Sequence, residues 1–356
     1  MKLSKLVLHS ALAVMAGVFF CPIVSAETDY IYGLHQTSLA NNTWNLAQFA
    51  IDNPNDVSPV VSASTVFSDL QSYISGYGSE GRFIEHLNGL AIDASTNTIY
   101  FNYTYANTVL GGDVATYSFH LYQMQYQSNA WQVSQVTGFD VLPSGIPNTD
   151  SQYGGAFPAA AFYDGYYYAR GQYTQDIFRV KVNPDGTASD LTAYPNTYNV
   201  SIGTSFYAGG DMLIHNNGAD TTLYTSTVQS TEFLNMLLRN DLDDVIAGTG
   251  TTTVINFDSE VPFEVHGELQ IAGLGEIGRM YGLSSASDNL FQFGNPDAPT
   301  AAGLGIRNLA DLSSFIGPDG RISDLTAGLT APVPEPSSAA LVALMGVVGL
   351  FRRSRC

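Results

Sequence analysis

The chain runs to 356 residues, 45% hydrophobic and 12% aromatic, with a formal net charge of −19 at pH 7. A surface this acidic repels nucleic acid and anionic membrane faces, so nucleic-acid binding is set aside, while neutral or cationic partners, divalent cations and uncharged polysaccharide stay open. Its two cysteines are Cys21 and Cys356, which rules out a disulfide or a thiolate metal site within residues 27–329.

Taken in order, Lys2 and Lys5 precede an apolar run from Leu6 to Val24, and Val24-Ser25-Ala26 puts small residues where signal peptidase cuts. That is the layout of a secretory signal, so residues 1–26 are expected to be removed and the chain exported. Val18-Phe19-Phe20 ahead of Cys21 lacks the small residues of a lipid-modified cysteine site.

From Glu27 onward one pattern returns. A first strand is predicted at Tyr30-Ile31-Tyr32-Gly33, Thr98-Ile99-Tyr100-Phe101, Gly165-Tyr166-Tyr167-Tyr168, Asp211-Met212-Leu213-Ile214 and Arg279-Met280-Tyr281-Gly282. A second strand follows each, at Leu46-Ala47-Gln48-Phe49, Leu121-Tyr122-Gln123-Met124, Ile177-Phe178-Arg179-Val180, Leu237-Leu238-Arg239-Asn240 and Leu290-Phe291-Gln292-Phe293. Apolar positions alternating with Gln or Arg are the period-2 signature of a strand. Turns such as Asn183-Pro184-Asp185-Gly186 separate the units, with proline presetting the first turn position.

The strongest internal match is Pro184-Asp185-Gly186 with Ser189-Asp190-Leu191-Thr192-Ala193 against Pro318-Asp319-Gly320 with Ser323-Asp324-Leu325-Thr326-Ala327. Five strand-pair units of unequal length predict an all-β, β-propeller-like domain over residues 27–329, because a four-stranded blade must stack on neighbours to bury both faces. Six or seven blades follow if the weak regions near Val133 to Asp140 and Thr251 to Asp258 hide more. The competing all-β architecture is a β-sandwich or adhesin-like stack. Arg321 to Leu329 is expected to close the ring against the N-terminal blade, and Thr231 to Asp244 is read as strand although Thr231 could cap a helix.

Glu264-Val265-His266-Gly267-Glu268 is the best local cluster of liganding types: on a strand Glu264, His266 and Glu268 share a face and could converge on one ion, calcium being the candidate. A solvated strand face is the commoner outcome for such a cluster. Asp241, Asp243 and Asp244 lack the glycine and distal Glu of a calcium loop and read as a solvated turn. Tyr163 with Tyr166 to Tyr168 offers rings for stacking on sugars, or for packing between blades. No Gly-x-Ser-x-Gly elbow, P-loop, His-Glu-x-x-His or dinucleotide fingerprint occurs.

Beyond the domain, residues 330–338 form a Pro-rich linker, Ala339 to Phe351 an apolar run short for a free-standing span, and residues 352–356 a basic tail, placed in the cytoplasm by the positive-inside rule. Val333-Pro334-Glu335-Pro336, the apolar run and Arg352, Arg353 and Arg355 together resemble the PEP-CTERM sorting domain of Gram-negative bacteria. That resemblance implies recognition by an exosortase, a precursor held transiently in the inner membrane, and delivery to the cell surface or extracellular matrix, in a setting of exopolysaccharide or biofilm and other surface proteins.

A second likeness covers a dozen residues. Glu85, His86 and Asn88-Gly89-Leu90-Ala91-Ile92-Asp93 are similar to the Asn-Gly-Leu-Ala-x-Asp strand opening of lactonase and sugar-hydrolase propellers, which implies a calcium site built on Glu85, Asn88 and Asp93. With no complete catalytic motif in hand, the leading expectation is a non-enzymatic binding or structural module on the surface or in the matrix. The alternative is a calcium-dependent lactonase or glycan-active propeller enzyme, and a fibre-forming adhesin is a weaker third.

Overall fold

A computed structural model describes residues 27–38, 42–79, 82–107, 116–128, 130–138, 157–171, 177–194, 206–207, 210–229, 235–256, 269–273, 278–284, 287–294 and 305–329. Strands β1 (Thr28–Ser38), β2 (Thr43–Asp52) and β3 (Val60–Phe67) belong to the first blade, and β4 (Arg82–Asp93), β5 (Thr98–Asn107), β6 (Thr116–Gln127) and β7 (Ala130–Gln135) form the second. The third holds β8 (Ala159–Tyr163), β9 (Tyr166–Arg170), β10 (Ile177–Val182) and β11 (Ala188–Tyr194). In the fourth, β12 (Phe206–Tyr207) and β13 (Met212–Asn216) both pair with β14 (Thr221–Gln229), followed by β15 (Asn235–Asp241) and β16 (Thr253–Asn256). The fifth is β17 (Leu269–Gly273), β18 (Met280–Ser284), β19 (Asn289–Phe293) and β20 (Arg307–Asp311). Last in the chain, β21 (Arg321–Ala327) pairs with β1 and becomes the innermost strand of the first blade.

This is an all-β, five-bladed β-propeller, and the sandwich and adhesin-stack alternatives are set aside. Each interface between neighbouring blades has its own apolar cluster. Trp44 and Leu46 meet Leu87 and Tyr103 between the first two blades, and Phe49 meets Tyr281 and Leu325 between the fifth and the first. Middle strands are covered on both faces, so all five residues of β18 are buried. Burial of large aromatic side chains such as Trp44, Tyr167 and Phe178 is what a disulfide-free ring has for cohesion.

Every predicted second strand falls in the third strand of a blade (β2, β6, β10, β15 and β19), and the predicted closing strand is β21. Four of the five predicted first strands fall in β1, β5, β9 and β18. The exception is Asp211 to Ile214, which is innermost; the counterpart in that blade is β14, whose Thr-rich sequence dilutes the aromatic pattern. The regions near Val133 and Thr251 hold the outer strands β7 and β16, and no further blade stands among the described residues.

Within Thr231 to Asp244 the strand reading holds for β15, and helix α1 (Leu242–Ala247) follows it. Asp241 is the cap of that helix, its carboxylate accepting from the backbone N–H of Asp243 at 2.9 Å and of Asp244 at 3.2 Å. A second short helix, α2 (Ser313–Ile316), precedes β21. Among the described residues no helix is long and apolar enough to cross a membrane. The signal at 1–26, the Pro-rich linker, the apolar run and the basic tail lie outside the described residues, as do Val24, Ala26, Val333 to Pro336, Arg352, Arg353 and Arg355.

Candidate functional site on the propeller axis

The innermost strands β4, β8, β13, β17 and β21 run the same way along the axis, so the ring has a face where they start and a face where they end. Three of these ladders are interrupted midway. A bulge between Asn88 and Ala91 interrupts β4, Gly210 and Asp211 separate β12 from β13, and a bulge opposite Leu34 interrupts β21 at Ser323 and Asp324. Each interruption frees a backbone N–H that needs an acceptor in a place without water.

Two aspartates supply the acceptors. Asp211 and Asp324 are fully buried and meet at Leu325 N, from which both carboxyls accept. Asp324 accepts from Leu90 N at 2.6 Å and from Leu325 N at 2.9 Å, and Asp211 accepts from Met212 N at 2.6 Å and Ile271 N at 3.2 Å. Burial pushes the Asp211 carboxyl up to about 8; burial and the neighbouring Asp211 push Asp324 well above the usual carboxylate range. Tyr167 of β9 completes the knot by donating to Gly89 O at 2.7 Å while accepting from Asn102 Nδ2 at 3.0 Å. Gly89 sits at φ +63, and a Cβ there would fall 1.9 Å from Asn102 Nδ2 and 2.4 Å from the Tyr167 hydroxyl, so glycine is required. With every carboxyl oxygen engaged and no exposure to solvent, the pair is unsuited to meet a substrate.

At the start face the chemistry is open. Glu85 accepts from Gly78 N at 2.9 and 3.1 Å and from the Tyr103 hydroxyl. Its neighbour His86 is half-buried, and burial, with the Arg321 guanidinium adding repulsion, pushes the imidazole down to about 4. Arg321 is held by its Nε, which donates to Gln36 Oε1 at 2.8 Å; Gln36 in turn donates to Asn42 Oδ1 at 2.6 Å. The result is a neutral imidazole beside a fixed cation, with a carboxylate one residue away along the strand.

The end face carries a cavity of about 270 Å³ lined by Asp93, Ser95, Phe162, Tyr163, Asp164 and Asn216, among others. Its polar groups are largely engaged with each other. Asp93 accepts from Ser95 and Thr96, and Asn216 Nδ2 donates to the Tyr163 hydroxyl at 2.6 Å.

The structure therefore separates the residues expected to hold calcium. Glu85 and Asp93 lie eight positions apart on β4, over ~20 Å at strand rise, at opposite ends of the axis. Asn88 is buried between them beside the bulge. These three do not fit a single ion; the Asn-Gly-Leu-Ala-Ile-Asp run is instead the bulge that aims Leu90 N at Asp324. Glu264, His266 and Glu268 lie outside the described residues, and among those described no group of three or more potential metal ligands occurs. Of the tyrosines, Tyr167 and Tyr168 pack between blades, whereas Tyr166 stacks on the Arg179 guanidinium at 4.3 Å.

No protein-family model matches the chain, and neither does any curated protein. Solved structures that match include a family 117 glycoside hydrolase of the marine bacterium Zobellia galactanivorans, at 11% identity over 74% of this chain and 75% of that one, TM-score 0.41. Others are an exo-1,5-α-L-arabinanase from a bovine ruminal metagenomic library, at 12% over 79% and 92%, TM-score 0.41, and a periplasmic gluconolactonase of Pseudomonas aeruginosa, at 10% over 80% and 69%, TM-score 0.34. The expectation of a non-enzymatic binding or structural module is corrected at this point. It rested on the paired targeting signals, the repeat pattern and the lack of a catalytic motif; the matching structures carry the names of hydrolases and a lactonase, and what this chain shares with them is the fold.

Proposed function

We propose that the chain is an exported hydrolase of sugar lactones working at the start face of the axis. One observation carries the reading: His86 is neutral at physiological pH and sits beside the guanidinium of Arg321. Ester-type hydrolysis needs a base for water and a positive group where the carbonyl oxygen gains charge. His86 takes a proton from water as its oxygen adds to the lactone carbonyl, and Arg321 faces the developing oxyanion. When the ring C–O bond breaks, the imidazolium returns the proton to the departing alkoxide, leaving a hydroxy acid. Glycoside hydrolysis calls for two carboxyl groups flanking the bond. Among the described residues the start face offers Glu85 near the axis, while Asp211 and Asp324 are sealed, so the lactone is favoured over the glycoside.

The test is hydrolysis of an aldonolactone panel by the purified chain, with aryl glycosides as the second arm. His86→Asn is expected to lower kcat/KM by about 10²–10⁴. Activity should fall as pH drops through about 4, where His86 becomes charged. Arg321→Gln should move that limb upward, because removing the cation eases protonation. No lactone turnover, or an unmoved limb in Arg321→Gln, would sink the assignment.

The targeting reading belongs to the same proposal. Signal peptidase would cut after Ala26, and an exosortase would read Val333-Pro334-Glu335-Pro336 and pass the protein to the surface or matrix, Arg352, Arg353 and Arg355 holding the precursor in the inner membrane. Changing Pro334 and Glu335 to Ala is expected to leave an unprocessed precursor in inner-membrane fractions; normal delivery of that variant would refute it.

A further inference from the structure

We infer that Asp211 and Asp324 together form a proton-holding clasp on the axis, and that the proton they share ties the innermost strands of four blades into a closed ring. The geometry requires it. Asp211 and Asp324 both accept from Leu325 N, at 3.3 and 2.9 Å, with no exposure to solvent, and two carboxyl groups brought together on one N–H without water hold together when one of them carries a proton. Around that proton the two side chains collect Leu90 N from the second blade, Met212 N from the fourth, Ile271 N from the fifth and Leu325 N from the first. The third blade joins through the Tyr167 hydroxyl on Gly89 O, one residue before Leu90.

Among the described residues the titratable group facing the pair is that same Tyr167. Its phenol is pushed well above its ordinary value by burial and, further, by both aspartates, so it stays neutral across the working range. Arg321 on β21 and His86 on β4 sit toward the start face, and His86 titrates near 4. The alkaline response of the ring therefore belongs to the aspartates.

The sign follows from the raised values. The unfolded chain ionises these aspartates near the ordinary carboxylate value, ~3.9, while in the folded ring burial raises Asp211 to about 8 and holds Asp324 well above its ordinary value, so the pair keeps a proton that the unfolded chain gives up. Stability from the clasp is complete in acid and declines as pH rises through that window, because the unfolded state is the one that gives up protons. The ring is tightest in mild acid and loosens in alkali.

Two measurements on the purified chain decide the matter. Calorimetric unfolding near pH 7 in buffers of different ionisation heat should show release of about one proton or more per molecule. No release would overturn the clasp, and this reading needs no variant. Second, Tm followed from about pH 5 to about pH 9 should fall by about 5–10 °C in the unaltered chain. Asp324→Asn, which replaces the acid by a permanent neutral donor, should roughly halve that slope, and Asp211→Asn with Asp324→Asn should remove most of it. Superimposable slopes would reject the inference.

Discussion

Ser189-Asp190-Leu191-Thr192-Ala193 and Ser323-Asp324-Leu325-Thr326-Ala327 are the same five residues, each preceded at the same spacing by Pro-Asp-Gly, and they lie at opposite radii of the propeller. The first copy is in β11, the outermost strand of the third blade; the second is in β21, innermost of the first. Both carry a β-bulge at or beside the aspartate. At the rim Asp190 adopts φ +49 and is exposed, and its strand alternates between half-buried and wet. On the axis Ser323, Asp324, Leu325 and Thr326 are buried, Ala327 is half-buried, and the carboxyl of Asp324 serves N–H groups from two blades. Local sequence sets the bulge, whereas radius decides what the bulge is worth.

The sharpest way to break that comparison is to remove both aspartates in turn. Asp324→Ala strips Leu90 N of its acceptor and leaves Asp211 alone in the interior, so a loss of about 3–5 kcal/mol is expected in urea unfolding. Asp190→Ala should stay within about 0.5 kcal/mol. Equal effects would mean that the axial knot is ornamental. Next in size are the leucines one position on. Leu325→Ala empties a site packed between the fifth and first blades and should cost about 2–4 kcal/mol, against less than about 1 kcal/mol for Leu191→Ala at the half-covered rim.

Much of the architecture is readable before folding because the third strand of each blade alternates Leu, Phe or Ile with Gln or Arg, and that period survives in every blade. The closing strand is legible for the same reason, as an unpaired β segment after the last unit. What is not legible is radius. Nothing in Ser-Asp-Leu-Thr-Ala separates rim from axis, so Asp324 looks like Asp190, and Asp211, taken as the opening of an ordinary strand, turns out to mark a break in one. Gly89 is legible as part of the Asn-Gly-Leu-Ala-Ile-Asp strand opening; its partners Asn102 and Tyr167 come from two other strands and meet it through space alone. His86 stands in plain view beside Glu85, but the burial that lowers its imidazole, and the Arg321 guanidinium that adds to it from the far end of the chain, are made only by folding.

That far end has a consequence for how the ring is made. Ile31 of β1 pairs with Ala327 of β21, a contact spanning nearly the whole described chain. Contacts of such sequence separation form late, since the loop-closure entropy of everything between must be met first. Until β21 docks, the inner edge of β1 stands without a partner, open to pairing with another chain. Assembly is thus gated by the final strand, and the step that seals the ring is the same step that brings Asp324 to Asp211.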